Sequence, residues 1–317
     1  MNKKIRIIIL AVVFLFAFCF VRDFLIKSLI GTAASSITGA PTSVGGLSLS
    51  IIRQSVRISN FRMYNPKGFP KDILVDIPSI KVACNLGALM KGKIHLRQLE
   101  LDIKEIGMAK NKDGRLNVDS LKIAEEKPAE KEKGKPAKQM AIQIDTVSLG
   151  MGRVVSKDYS VQGQPMVKVY DINLKKSYKD INSAQQLAAL IVSEPLKAAG
   201  IQGLKVYGAA MLTGVAALPV VAAFTFAAKD YVQESFDITM DKAYEAGLKA
   251  IKTAGKVKKE DKAAGVISAE VGGAKVTFKL KKVSDKSTQV TISARKFGFP
   301  KADIASGIMY RLRAQLE

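Results

Sequence analysis

Three stretches of this chain share an unusual hydrophobic rhythm. In VRISNFRM (56–63), Val56 and Ile58 alternate with polar residues, and then Phe61 and Met63 carry the apolar set onto the opposite parity. In IHLRQLELDI (94–103), Ile94 and Leu96 give way to Leu99, Leu101 and Ile103. In IQIDTVSLGM (142–151), Ile142 and Ile144 give way to Val147, Leu149 and Met151. A β-strand points successive side chains to opposite faces, so a slip of one residue should turn its apolar face into water. Three slips at one phase predict a repeated supersecondary unit. A β-bulge is the simplest device, because one inserted residue restores the face and adds twist. A short turn between two strands is the plainer alternative. The expected fold is α+β and mostly β, built on a long, strongly curved antiparallel sheet with one apolar concave face.

Other segments fit the same sheet. LSLSII (47–52), SIKVACN (79–85) and VKVYDINLKK (167–176) alternate. NPKGFP (65–70) is a turn cluster, and NKDGRLNV (111–118) reads as a hairpin with Asp113–Gly114 at its tip. Residues 122–139, KIAEEKPAEKEKGKPAKQ, have no apolar period and read as a solvated, disordered insertion. Strand patterns resume at Met140, so the insertion lies inside the sheet domain. Residues 182–200 predict a helix kinked near Pro195.

Two apolar runs bear on membranes. Lys3, Lys4 and Arg6 precede a run from Ile7 to Val21, which resumes after Arg22–Asp23 with Phe24, Leu25 and Ile26. A spanning helix needs about 20 residues. The basic flank keeps the N-terminus in the cytoplasm. No small-x-small site follows the run, and Phe18 before Cys19 does not suit lipidation, so residues 1–29 read as an uncleaved anchor. Residues 206–228 carry no charge but are rich in Ala and Gly, with Pro219 mid-run. They suit a second transmembrane helix, a hairpin or interfacial segment, or a buried helix between domains.

From residue 229 the pattern changes. VQESFDITMDKAYEAGLKAIKTAG reads as a strand leading into a helix; VISAEV, KVTFKL and TQVTISA are alternating strands, and a helix starts near Lys301. Gly272–Gly273 and SDKS (284–287) suit hairpin turns. The order is β-α-β-β-β-α.

The charge is +22 with a pI near 9.8, which implies an acidic partner. The basic residues form no confined stripe and accompany no nucleic-acid-binding motif, so anionic headgroups are the expected partner rather than DNA or RNA. No catalytic constellation is visible. The single His, His95, lies between Ile94 and Leu96 and points away from the apolar face. Cys84 shares parity with Ile80 and Val82 and reads as a small core residue. No metal-ligand spacing and no phosphate-cradling glycine loop occurs. The expectation is a protein that is not an enzyme and takes no cofactor.

Residues 1–123 resemble the amino-terminal part of AsmA-family envelope proteins, and the likeness continues more weakly to residue 205. It rests on the anchor, VRISNFRMYNPKGFP, VDIPSIKV, LGALMKGKIHLRQLELDI and KDGRLNVDSL, in that order. The resemblance implies a long, taco-like β-sheet on one inner-membrane anchor, with the sheet in the periplasm. It also implies a role in outer-membrane biogenesis and in carrying or shielding the acyl chains of phospholipid or lipopolysaccharide. Phe61, Met63, Leu99, Leu101, Ile103, Val147 and Leu149 are then the groove candidates, with plain core packing as the alternative for each. Large members cross the envelope; this chain has one short segment of such a groove. Residues 229–317 resemble a second group, small bacterial lipoprotein domains of the same β-α-β-β-β-α order. The resulting plan is an anchor (1–29), a sheet domain (30–205), an apolar segment (206–228) and a small α+β domain (229–317). If 206–228 spans the membrane, the last domain returns to the cytoplasm; the resemblance places it outside. The rival to lipid transport is an assembly module that binds another envelope protein through a sheet edge and the basic C-terminal domain.

Overall fold

The computed structural model describes residues 27–316 apart from 51, 86, 89–90, 92, 125–141, 162, 202–203 and 206–230. The expected anchor up to residue 26, the insertion from residue 125 and the whole of 206–228 lie outside the described residues. Among the described residues, no helix is long and apolar enough to cross a membrane. The chain forms two sheets, each with its own apolar core.

The first unit begins with a helix, α1, over residues 27–38. Six strands follow: β1 (Thr42–Ser50), β2 (Ser55–Tyr64), β3 (Ile73–Cys84), β4 (Ile94–Lys110), β5 (Ile142–Asp158) and β6 (Met166–Ile181). They pair in sequence order. Every neighbouring pair is antiparallel except β4–β5, which is parallel. The sheet is therefore mixed, correcting the all-antiparallel expectation. A parallel pair needs a crossover rather than a tight turn, and residues 111–141 supply it. The helix α2 (Ala184–Ala198) closes the unit, capped by the Ser183 hydroxyl and carrying Pro195 inside it.

The slips act in two ways. Against β3, the β4 slip is the expected bulge: Ala83 pairs with Gln98 but Cys84 with Leu96, so Arg97 is the inserted residue. Between the other pairs no residue is inserted at the slip. On β4 and β5 both partners slip at the same place. Leu96 faces Ile144 before the slip and Leu99 faces Val147 after it, so the offset between the strands is unchanged. The same holds for Ile144–Ile181 and Val147–Tyr178 on β5 and β6, and for Ile58–Ile80 and Phe61–Ile77 on β2 and β3. In these three pairs the pairing lapses at the slip and resumes in the same register. The apolar residues on both sides of each slip pack into one core. A one-residue insertion would shift register; a matched slip turns the whole row together and keeps the apolar set on one face. Three of the slips or kinks carry a residue at positive φ: Asn60 on β2, Asn173 and Asp180 on β6. Asn and Asp enter this region at lower cost than other side chains. Only beyond Met151 do β5 and β6 change register, and there the bulge is real.

The crossover is pinned by Asn117, which is fully buried. Its Oδ1 accepts from the backbone N–H groups of Ala109 (2.9 Å) and Val118 (2.8 Å). Its Nδ2 donates to the Gly107 carbonyl (2.8 Å) and to Asn65 Oδ1 (2.7 Å). The NPKGFP turn and the GRLN stretch thus meet through their asparagines. The expected hairpin at Asp113–Gly114 is present, with Lys110 bridged to Leu116. Asn117→Ala is expected to cost about 2–4 kcal/mol, since it strands several buried partners at once, and a urea titration followed by circular dichroism measures it. The insertion begins later than its composition suggests: Lys122–Ala124 is a 3-10 turn with Ile123 and Ala124 buried.

The second unit comprises β7 (Tyr231–Phe236), α3 (Met240–Ala254), β8 (Lys256–Asp261), β9 (Val266–Val271), β10 (Ala274–Ser284), β11 (Ser287–Lys296), β12 (Phe299–Pro300) and α4 (Ala302–Leu316). Its sheet runs β12-β11-β10-β9-β8, with β7 also on β11. The expected β-α-β-β-β-α order lacks β8 and the short β12. β8 is the edge strand KVKKED, exposed at all but one position, so no apolar alternation marks it. The helices α3 and α4 cover one face and share a core with Phe278, Val290 and Ile292.

Candidate functional site

All seven groove candidates lie together on one face of the first sheet and belong to one core. Phe61, Met63, Leu99, Leu101, Ile103, Val147 and Leu149 are between 0% and 9% exposed. The structure adds residues to that face that the slipped pattern did not mark, among them Val75, Ile77, Ile106 and Tyr178. The face is covered by the chain itself. α2 brings Leu190, Val192 and Leu196; α1 brings Ile30, Ala34 and Ile37; the crossover brings Val118, Leu121 and Ile123.

The cover includes a polar latch. Glu194 of α2 is buried with its carboxylate against β6. Oε2 accepts from the Tyr178 hydroxyl at 2.5 Å and from Lys176 Nζ at 3.0 Å, while Lys197 Nζ reaches Oε1 at 3.3 Å. Burial alone would push the Glu194 carboxyl up, but the Tyr178 and Lys176 hydrogen bonds and the two ammonium charges hold it below the usual carboxylate range. The Tyr178 hydroxyl is pushed up, by burial first and then by its bond to Glu194. The neighbouring Ser193 Oγ is buried and has no hydrogen-bond partner among the described residues. Nothing in the run 182–200 distinguishes Glu194 from a solvated helix residue; its role follows only from the docking of α2.

The opposite face of the sheet carries the second unit. α4 packs on β6, with Tyr310 against Val155, Val167 and Val169. Gly307 lies on the Val167 carbonyl so closely that a Cβ there would collide with it. Charges ring the contact. Asp303 meets Lys168 at 3.4 Å, the Tyr310 hydroxyl donates to Glu105 at 3.3 Å, and Glu105 pairs with Arg153 at 2.8 Å. The Arg153 guanidinium stands 5.3 Å from the Tyr310 ring centroid. Lys157 pairs with Asp72, and Arg311 donates to the Pro165 carbonyl. The central strands also form a shallow trough of about 470 Å³ lined by Ser79, Asp102, Ser148, Gly150 and Ser177 together with Leu101 and Leu149.

His95 and Cys84 differ slightly from expectation. His95 is not a freely solvated strand residue: its Nε2 lies 2.9 Å from the Asp145 carboxylate and its side chain is 25% exposed. Cys84 is a free, half-buried thiol, pushed up by burial against a smaller opposing effect of Arg97. Among the described residues no cluster of three or more His, Cys, Asp or Glu is placed to hold a metal ion.

A mixed sheet closed on its apolar face by its own helices, with a second α+β unit seated on its outer face, defines a two-unit sheet protein rather than an open trough. The chain belongs to the AsmA family: the family model matches residues 4–308. No curated protein matches it. The match runs through most of the second unit, which the residue patterns set apart as a different module. The family is associated with assembly of the envelope and outer membrane, and with membrane-associated envelope proteins.

Proposed function

We propose that this chain is a non-enzymatic, inner-membrane-anchored protein that serves outer-membrane assembly by binding another envelope protein. The observation that carries this reading is the closed apolar face. The residues expected to hold acyl chains are occupied by α1, α2 and the crossover, whereas β1 is an edge strand, open beyond Gly45, whose carbonyl accepts from Lys27 of α1. β1 pairs only with β2 among the described strands, and TSVGGLSLS contains no charge and no proline. Such an edge offers its backbone groups to a partner strand. The β6 edge is protected by lysines and by the positive-φ kinks at Asn173 and Asp180.

Lipid carriage is the second reading, favoured by the latch. Glu194 seats α2 through polar bonds in an otherwise apolar interface, so α2 is suited to act as a displaceable cover over an acyl-binding face. Photo-leucine incorporated into the full-length protein in cells, with a photo-crosslinking residue at exposed Ser48 in a parallel sample, separates the two. Protein adducts at Ser48, with only intramolecular links from Leu101 and Leu149, are expected; lipid adducts on Leu101 or Leu149 would replace the assembly reading with the cargo reading.

Both units lie on one side of the membrane in this reading. They touch through α4 and β6, and a bilayer cannot separate units in direct contact. With the basic flank in the cytoplasm, that side is the periplasm. The Asp285 side chain is 92% exposed, and the variant Asp285→Cys is expected to react with a membrane-impermeant maleimide in spheroplasts; labelling only after lysis would place the second unit in the cytoplasm.

A further inference from the structure

The most exposed aromatic side chains among the described residues sit on one hairpin. Phe297 is 89% and Phe299 71% exposed. They occupy the tip joining β11 to β12, where Lys296 faces Phe299 across a two-residue turn. The turn is Phe297–Gly298, with φ of +52° and +84°. Both central residues of such a turn need positive φ, which Asn-Gly or Gly-Gly supplies readily and a bulky aromatic does not. The backbone is thus held in an unfavourable conformation to present a ring that packs on nothing inside the protein. Strain of this kind persists where it serves a function.

The surroundings are cationic. The stretch reads ARKFGFPK, from Ala294 to Lys301. Lys296 Nζ donates to the Gly272 carbonyl at 3.2 Å and stands 5.9 Å from the Phe297 ring centroid. β10 occupies one edge of β11 as far as Arg295. β7 and β12 must therefore share the other edge, with Tyr231 opposite Ser293 and Pro300 opposite Arg295. Tyr231, where the described second unit starts, is 42% exposed and lies toward the tip end of β11, opposite Ser293. The uncharged run 206–228 precedes Tyr231, with Lys229 and Asp230 between them.

We propose that the Phe297–Phe299 hairpin is a membrane-contact tip, which inserts its two rings among the acyl chains of an anionic lipid surface while Lys296 and Lys301 meet the lipid phosphates. Exposed aromatics at headgroup depth with flanking lysines are the chemistry of interfacial binding. The tip steadies the second unit against the bilayer, and it does so whether the sheet binds a protein or a lipid cargo.

The chain has no Trp, so Phe297→Trp creates a single, selectively excitable tryptophan without removing the aromatic ring. The full-length variant is reconstituted into vesicles of phosphatidylethanolamine and phosphatidylglycerol with acyl-brominated lipid as quencher. A blue-shifted maximum and quenching by the brominated chains are expected. Val283→Trp, at the opposite end of β10 and β11, is expected to show neither. Exchanging Lys296 and Lys301 together for Gln, or using phosphatidylcholine alone, is expected to reduce the quenching. Water-like, unquenched emission from the Phe297→Trp protein overturns the proposal, and so does a blue shift without lipid quenching, which would mean burial against protein. Phe297→Asn, combined with Phe299→Trp, separates membrane contact from folding. Asn suits the positive φ, so Tm should stay or rise while quenching falls; a lowered Tm with unchanged quenching would mean the ring is structural and overturn the proposal.

Discussion

Glu194→Ala is expected to loosen α2 from the sheet at a cost of about 3 kcal/mol, the scale of breaking a buried ion pair by removing one partner. The loss has a named source. Tyr178, a buried hydroxyl, and Lys176 both lose the Oε2 acceptor, and each remains on the inner side of β6. Hydrogen exchange reports where the loss falls: amides of α2 should lose protection while those of the second sheet keep theirs. The same carboxylate predicts a pH dependence. Its pKa is lowered in the folded protein, so its contribution is complete above the ordinary carboxylate value and is lost as pH falls through the lowered folded value. The stability gap between the native protein and Glu194→Gln should therefore be widest near neutrality and should close as acidification proceeds below about pH 4. A gap that stays constant through that range would show that the charge of Glu194 does not seat the helix.

Gly307→Leu is expected to undock the second unit from the first while leaving each folded. The new side chain would run into the Val167 carbonyl on β6. Ile304, Ile308 and Leu312 hold the other side of α4 in its own core. Overpacking of this kind costs about 1–3 kcal/mol where the backbone can yield; here the neighbour is a strand backbone within a sheet, so separation is the expected relief. One cooperative thermal transition should become two, and Tyr310 and Arg311 should become accessible. A single transition at the native temperature would mean that α4 does not hold the units together.

The seven apolar positions and the interface differ in how far the sequence makes them legible. Leu99, Leu101 and Ile103 announce themselves by alternation, and so does their joint slip with Val147 and Leu149. The parallel pairing of β4 with β5 does not, because alternation is the same for either direction of neighbour. β8 is invisible in the sequence because an edge strand with lysines on both faces has no period to detect. The basic excess near residues 252–262 is largely that strand, solvated at the sheet edge. Asn65 and Asn117 both stand in recognisable turn motifs, yet their bond spans more than fifty positions of chain and becomes visible only in three dimensions. Glu194 looks like any charge on a helix. Its meaning depends on which face of α2 the sheet covers.

The sequence by itself determined most of the local units: which alternating segments are strands, which residues form their inner face, where the main turns fall, and that the slips recur together. These follow from side-chain period and turn chemistry, which act over a few residues. Only the tertiary structure decided that β4, β5 and β6 slip in step while β4 gains one residue against β3, that the apolar face is closed by α1 and α2, and that α4 joins the second unit to the first. Each of these depends on contacts between segments distant in the chain. A hydrophobic pattern specifies that a face must be covered, but not by what.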